Sequence, residues 1–220
     1  MKIFLDTASR ELIKKWMGTG LVDGITTNPT HLSKEGHDTK QVLRDICTML
    51  PNCPISIEVV EKAPDAVYNQ AVEISKFAPN VVVKIPCLTE YLPVINKCVK
   101  EGIKINVTLV FSEIQAILVA KLGVTYISPF VGRLDDIGQD GAKLIDDLMV
   151  IKKNYNFSSQ ILAASIRSVE HWRRVALAGA DVVTLPPAVF ESGVKHQLTD
   201  KGVEMFDADW RKLGKKGLFD

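Results

Sequence analysis

Apolar and β-branched residues recur along the chain in short runs: Lys2–Asp6, Val22–Thr26, Ile55–Val60, Val81–Ile85, Ile103–Thr108, Val124–Ser128, Gln160–Ser165 and Asp181–Leu185. Runs of this length and composition predict strands. The segments between them carry apolar positions at helical spacing, as in Ser9–Met17, Thr39–Leu50, Ala63–Phe77, Leu88–Lys100, Ser112–Leu122, Asp140–Asn154 and Ser168–Ala178. Gly102, Gly123 and Gly179 stand where three of these helices should stop.

Strands alternating with helices of about 10–15 residues predict parallel βαβ units, and eight such units close into a (β/α)8 TIM barrel. An open doubly wound sheet is the alternative, but no GxGxxG follows any of the strands. With no linker or low-complexity stretch, residues 1–220 read as a single α/β barrel domain. A further helical tail, about 198–220, carries Met205, Phe206, Trp210 and Leu213, more apolar surface than the barrel itself needs. This tail is expected to cover a barrel face or a neighbouring subunit.

Side chains on a strand alternate between its two faces. One parity collects Phe4 and Asp6; Gly24 and Thr26, with Asn28 just beyond; Ser56 and Glu58; Val82 and Lys84; Lys104, Asn106 and Thr108; Tyr126, Ser128 and Phe130; Ala163 and Ser165; Val182 and Thr184. The opposite parity is mostly Val, Ile and Leu. The polar members gather at the C-terminal strand ends, where barrel enzymes build their active sites, so this parity is read as inward. A barrel without a site would fill those positions with branched apolar residues.

Lys84 follows three valines and precedes Ile85-Pro86, which puts an ammonium at the mouth of an apolar strand. Full burial lowers a lysine pKa by as much as ~3–5 units, and a neutral amine can condense with a ketone. An ion pair with Glu58 or Asp6 explains the same lysine equally well when it is taken alone. Glu58 and Asp6 are suited to proton transfer, with Thr108 holding a water for Glu58. Asn28 and Asn106 offer amide groups for hydroxyl-bearing ligands, although Asn28, before Pro29, also fits an Asx turn. Arg133, Ser165 and Arg167, at or just beyond strand ends, read as an anion site. His31, His37, His171 and His196 fall in helices or loops and read as surface or packing residues.

Lys plus Arg number 27 against 26 for Asp plus Glu, so no global field draws the protein to nucleic acid or an acidic membrane. Cys47, Cys53, Cys87 and Cys98 form no CxxC pair, and free thiols in a reducing cytosol are favoured over metal ligands or disulfides. MKIFLDTAS is too short a run for a signal-peptide core and no stretch is long enough to span a membrane, so a cytoplasmic enzyme without metal or cofactor is expected.

Five blocks, LDTAS at Leu5–Ser9, GITTNPT at Gly24–Thr30, VVVKIP at Val81–Pro86, INVTLVFS at Ile105–Ser112 and GADVVTLPP at Gly179–Pro187, resemble the small transaldolase family, and the likeness runs essentially end to end. The resemblance implies a class I aldolase-type barrel with Lys84 as Schiff-base residue and Asp6, Glu58 and Thr108 in catalysis. It further implies contacts to substrate hydroxyls from Asn28, Asn106 and Ser128, with Thr26 and Phe130 at the same site, and contacts to a phosphate from Arg133, Ser165 and Arg167. The family divides between transaldolases, which pass a dihydroxyacetone unit between sugar phosphates in the pentose phosphate pathway, and fructose 6-phosphate aldolases, which release it. The aldolases carry Gln and Tyr where this chain has Glu58 and Phe130, so the resemblance favours the transferase. It also implies phosphorylated sugars as partners and a pentamer or decamer of identical subunits.

Overall fold

The computed structural model describes residues 1–36, 38–215 and 217–219, so that His37 lies outside it. Eight parallel strands form a closed barrel: β1 (Lys2–Asp6), β2 (Gly24–Thr26), β3 (Ile55–Glu58), β4 (Val81–Pro86), β5 (Ile105–Val110), β6 (Tyr126–Pro129), β7 (Gln160–Ala163) and β8 (Val182–Leu185). Each pairs with the next, and β8 returns to β1. Around them run α1 (Arg10–Met17), α2 (Pro29–Leu32), α3 (Thr39–Met49), α4 (Pro64–Ser75), α5 (Leu92–Lys100), α6 (Glu113–Ala120), α7 (Val131–Asp135), α8 (Gly141–Tyr155), α9 (Val169–Ala178) and α10 (Pro187–Val194). One further helix, α11 (Gln197–Lys212), follows the barrel.

Local chemistry fixes the helix ends. The side chains of Ser9, Asp38, Ser112, Asp140 and Ser168 each accept a backbone N–H in the first turn of the helix that follows. Gly102, Gly123 and Gly179 all take positive φ, the left-handed geometry that lets a chain leave a helix and turn into the next strand. The sequence pattern did not reveal α2, α7 and α10. The first two are four and five residues long, shorter than the window in which a helical period can be recognised.

The strands divide two cores. Phe4, Val82, Tyr126, Leu162 and Val182 fill the barrel interior, with Phe4 edge-on to Tyr126 at a centroid distance of 5.8 Å. Outside, Leu5, Ile25, Ile57, Val83 and Ile85 form a second core with Ile13 of α1, Ile46 of α3, Val67 of α4 and Ile95 of α5. The inward parity expected of the strands is therefore observed, except on β7. There Leu162 and Ala164 face the interior and Ala163 packs on the helix side, one position out of step with the expectation. The register explains the shift: Leu162 stands opposite Val182, and neighbours in register share a face. Lys104, also expected inward, precedes β5 and is exposed at the N-terminal end of the barrel.

α11 buries none of its residues against its own barrel; Val203, Met205 and Phe206 are 62%, 64% and 75% exposed. Of its large apolar side chains Trp210 is partly covered, while Leu198, Val203, Met205 and Phe206 are exposed. Among the described residues no helix is long and apolar enough to cross a membrane.

Gly24 sits opposite Phe4 on the barrel wall, and a β-carbon there would stand 2.7 Å from the Phe4 ring and 2.8 Å from the Pro54 carbonyl oxygen. Gly24→Ala is expected to lower stability by about 1–3 kcal/mol through overpacking. A lower urea midpoint at unchanged denaturant slope would show it; an unchanged midpoint would mean that the interior can yield at no cost.

Candidate active site

At the C-terminal strand ends the barrel opens into a cleft of about 410 Å³. Six strands send an inward polar side chain into it: Asp6 from β1, Thr26 from β2, Glu58 from β3, Lys84 from β4, Ser128 from β6 and Thr184 from β8, and β7 adds the apolar Leu162. Asn28, Phe130, Arg133, Ser165 and Arg167 add the rim. A second cavity, of about 430 Å³, lies outside the barrel against α3 and α4 and is lined largely by Leu32, Leu43, Ile57, Ile74 and Phe77. The outer cavity also touches Glu58, but the mouth cleft is where Asp6, Thr26, Glu58, Lys84, Ser128 and Thr184 come together.

Lys84 lies at the floor, its side chain 6% exposed. The β3–β4 register sets Glu58 beside it, and Nζ is 3.0 Å from Glu58 Oε2 and 3.3 Å from the Thr27 carbonyl oxygen. Of the two carboxylates considered as its ion-pair partner, Glu58 takes that place. Such a contact joins two readings that the sequence left as alternatives: it compensates a buried ammonium, and it gives the ammonium proton a direct acceptor.

Asp6 belongs to a separate network. Thr26 Oγ1 donates to Asp6 Oδ1 at 2.9 Å and stands 2.6 Å from Thr184 Oγ1. The other carboxylate oxygen, Oδ2, faces His31 Nε2 at 3.8 Å. His31 thus lines the cleft, where it was expected only to pack or face solvent. A residue on a four-residue helix gave no strand parity by which to place it. Thr184, on the inward parity of β8, joins the cleft although its own strand gives no sign of chemistry; its hydrogen bond to Thr26 depends on the β8–β1–β2 closure.

Two predicted residues lie beneath the cleft surface. Asn106 is fully buried, its Nδ2 donating to Ser56 Oγ at 3.1 Å while its Oδ1 accepts from Ser128 Oγ at 2.7 Å. Both ends of its amide are engaged, so Asn106 braces the floor. Thr108 is also fully buried, and among the described residues its hydroxyl has no hydrogen-bond partner, an uncommon state for a buried polar group. The strand bulges immediately after it: the β5–β6 register shifts between Val107 and Val110, and Leu109 takes a left-handed φ of 57° that directs the backbone into the mouth. Asn28 does make the local turn: its Oδ1 accepts the His31 N–H at 2.9 Å and caps α2, while the residue still lines the cleft.

Ser165, which misses the inward parity of β7, reaches the cleft by another route. Its left-handed φ of 58° turns the chain back toward the mouth just past the strand. Gly132 packs directly on it, donating its N–H to the Ser165 carbonyl at 3.0 Å; a β-carbon at 132 would lie 2.5 Å from that oxygen and 2.8 Å from Arg167 Nε. The Arg133 guanidinium stands over the Phe130 ring, 5.1 Å from its centroid. Arg167 forms a two-pronged ion pair with Asp136, with Nη2 2.7 Å from Oδ2, and this hydrogen bonding holds the Asp136 carboxyl below its ordinary pKa. Any anion at this rim therefore meets one guanidinium already paired and another resting on an aromatic face.

The four cysteines are free thiols. Burial pushes Cys47 and Cys98 up to about 11, which keeps both protonated and unreactive near neutrality. Among the described residues no group of three or more His, Cys, Asp or Glu side chains is placed to hold a metal ion.

Comparison with known families matches residues 3–217 to the sequence model of the Transaldolase/Fructose-6-phosphate aldolase family. The chain belongs to this family. A "Probable transaldolase" of Caulobacter vibrioides is 49% identical over 218 residues, covering 99% of this chain and all of the relative. Its counterpart in Dehalococcoides mccartyi is 49% identical over 98% of this chain and all of the relative. That of Methanococcus vannielii is 49% identical over 96% and 97%. The family unites transferases and lyases, so membership makes the chain a transaldolase-family enzyme and leaves the reaction to be argued from the site.

Removing one partner of the Lys84–Glu58 pair strands a buried charge. Glu58→Leu is expected to cost about 3 kcal/mol or more, whereas the double variant Lys84→Met/Glu58→Leu should lie within roughly 1 kcal/mol of the parent. Urea denaturation of the four proteins measures the coupling, and additive losses would show that the pair is not energetically linked.

Proposed function

We propose that this enzyme is a transaldolase that carries a dihydroxyacetone unit between phosphorylated sugars as a Schiff base on Lys84. The observation that carries the reading is the buried Lys84 amine 3.0 Å from Glu58 at the mouth of a closed barrel. Passing a proton to Glu58 frees the Lys84 amine to add to the C2 ketone of a donor such as fructose 6-phosphate or sedoheptulose 7-phosphate. Water is then lost and a protonated imine remains. Glu58 shuttles the protons of this step, and the unpartnered Thr108 hydroxyl is suited to hold the water involved.

The imine draws electrons from the neighbouring bond. Asp6 removes the C4 hydroxyl proton, the C3–C4 bond breaks, the aldose phosphate leaves and its bonding pair becomes the enamine on Lys84. Addition of that enamine to erythrose 4-phosphate or glyceraldehyde 3-phosphate reverses these movements. Thr26, Asn28 and Ser128 contact the substrate hydroxyls, Asn106 orients Ser128 from below, and Arg133, Ser165 and Arg167 receive the phosphate.

The transferase is favoured over the lyase by residues 58 and 130. A carboxylate stands at 58, and Phe130 has no hydroxyl with which to protonate the enamine and release dihydroxyacetone. The uncovered apolar side chains of α11 support a homo-oligomer.

Borohydride added during turnover of fructose 6-phosphate should leave a three-carbon adduct on Lys84, located by peptide mass analysis. An unmodified Lys84 would overturn the Schiff-base mechanism. With fructose 6-phosphate alone, free dihydroxyacetone should appear at least about tenfold more slowly than sedoheptulose 7-phosphate does when erythrose 4-phosphate is added. Equal rates would make the enzyme a lyase.

A further inference from the structure

The barrel mouth holds two carboxylates, and each has a nitrogen base facing it. Glu58 faces Lys84; Asp6 faces His31. The second pair has no place in the reaction as described above, where Asp6 acts alone.

Its geometry is specific. Asp6 Oδ1 accepts from Thr26, leaving Oδ2 as the oxygen turned to His31 Nε2, 3.8 Å away. The side chains of His31 and Asp6 are 25% and 20% exposed, and both line the cleft. His31 is held from behind by its own backbone, whose N–H is received by the Asn28 side chain at 2.9 Å and by the Asn28 carbonyl at 3.0 Å. That cap fixes the first turn of α2 and with it the direction from which the imidazole approaches. The Asp6 carboxylate lies within ion-pair range of the His31 ring.

We infer that His31 is a positioning residue for Asp6 in the proposed transfer. The 3.8 Å separation is too long for a hydrogen bond in the free enzyme, and small side-chain rotations close it once a substrate fills the cleft. The Nε2–H then holds Oδ2, Thr26 holds Oδ1, and the carboxylate plane is fixed toward the C4 hydroxyl. In cleavage the hydroxyl proton moves to Asp6 while the C3–C4 pair flows to the enamine; His31 gives up no proton and keeps the carboxylate aligned as its charge changes. This role concerns the carbon–carbon bond and leaves imine formation at Lys84 and Glu58 untouched.

The inference rests on the transaldolase reading, and its test separates the two. His31→Leu and His31→Gln are made in the full chain and their melting temperatures compared with the parent. In His31→Leu the transfer kcat should fall about tenfold with the donor KM within about twofold. Borohydride trapping of Lys84 by dihydroxyacetone, which needs the imine but no bond cleavage, should keep the parent rate. His31→Gln, whose amide N–H can reach the same oxygen, should recover at least about a third of the lost activity. A parent-like kcat in His31→Leu overturns the positioning role. So does a loss of trapping in parallel with kcat, or a Gln variant no better than Leu. Failure of the parent itself to be trapped on Lys84 would overturn the transaldolase reading instead.

Discussion

Burying an ammonium among branched aliphatic side chains costs several kcal/mol unless an opposite charge comes with it. In this barrel the opposite charge is supplied by the adjacent strand. Glu58 and Lys84 are register partners, so the hydrogen bonding of β3 to β4 aligns the pair before either side chain makes a contact. The branched apolar residues of those strands form the walls and supply the desolvation that the pair must withstand. Closure of all eight strands then brings Asp6, Thr26, Ser128 and Thr184 to the same cleft from strands at both ends of the chain. A site of this kind is a property of the register as a whole, and a slip of one residue on any strand would turn its polar end into the helix layer.

Much of this was legible in the chain because polar strand ends interrupt apolar runs on one parity only. Phe4/Asp6, Ser56/Glu58 and Val82/Lys84 each declare a face without help from the rest of the fold. β7 does not. Ile161, Leu162, Ala163 and Ala164 are apolar on both parities, so alternation carries no information there, and the face is decided by pairing with Val182. Ser165 lines the cleft, and it does so through a left-handed backbone turn rather than through inward alternation.

Other features were invisible because they arise from contacts between distant segments. The orphaned hydroxyl of Thr108 sits beside the bulge at Leu109, and no local signal in INVTLVF announces that bulge. Pairing of Arg167 with Asp136 joins the segment after β7 to the residue closing α7. The contact between His31 and Asp6 requires the asparagine cap that aims α2 across the mouth. Asn28 caps α2 and borders the cleft at once, so the local turn does not remove it from the mouth.

The plug of Phe4, Val82, Tyr126, Leu162 and Val182 bears on kinetics as much as on stability. These side chains leave no passage through the barrel, so whatever reaches Lys84 must come and go by the one mouth. Under the proposed reaction the outgoing aldose phosphate occupies the space and the guanidinium groups that the incoming one needs. The two cannot be bound together, and the order of events follows from traffic through a single doorway: departure first, arrival second, with the three-carbon fragment waiting on the enzyme in the interval.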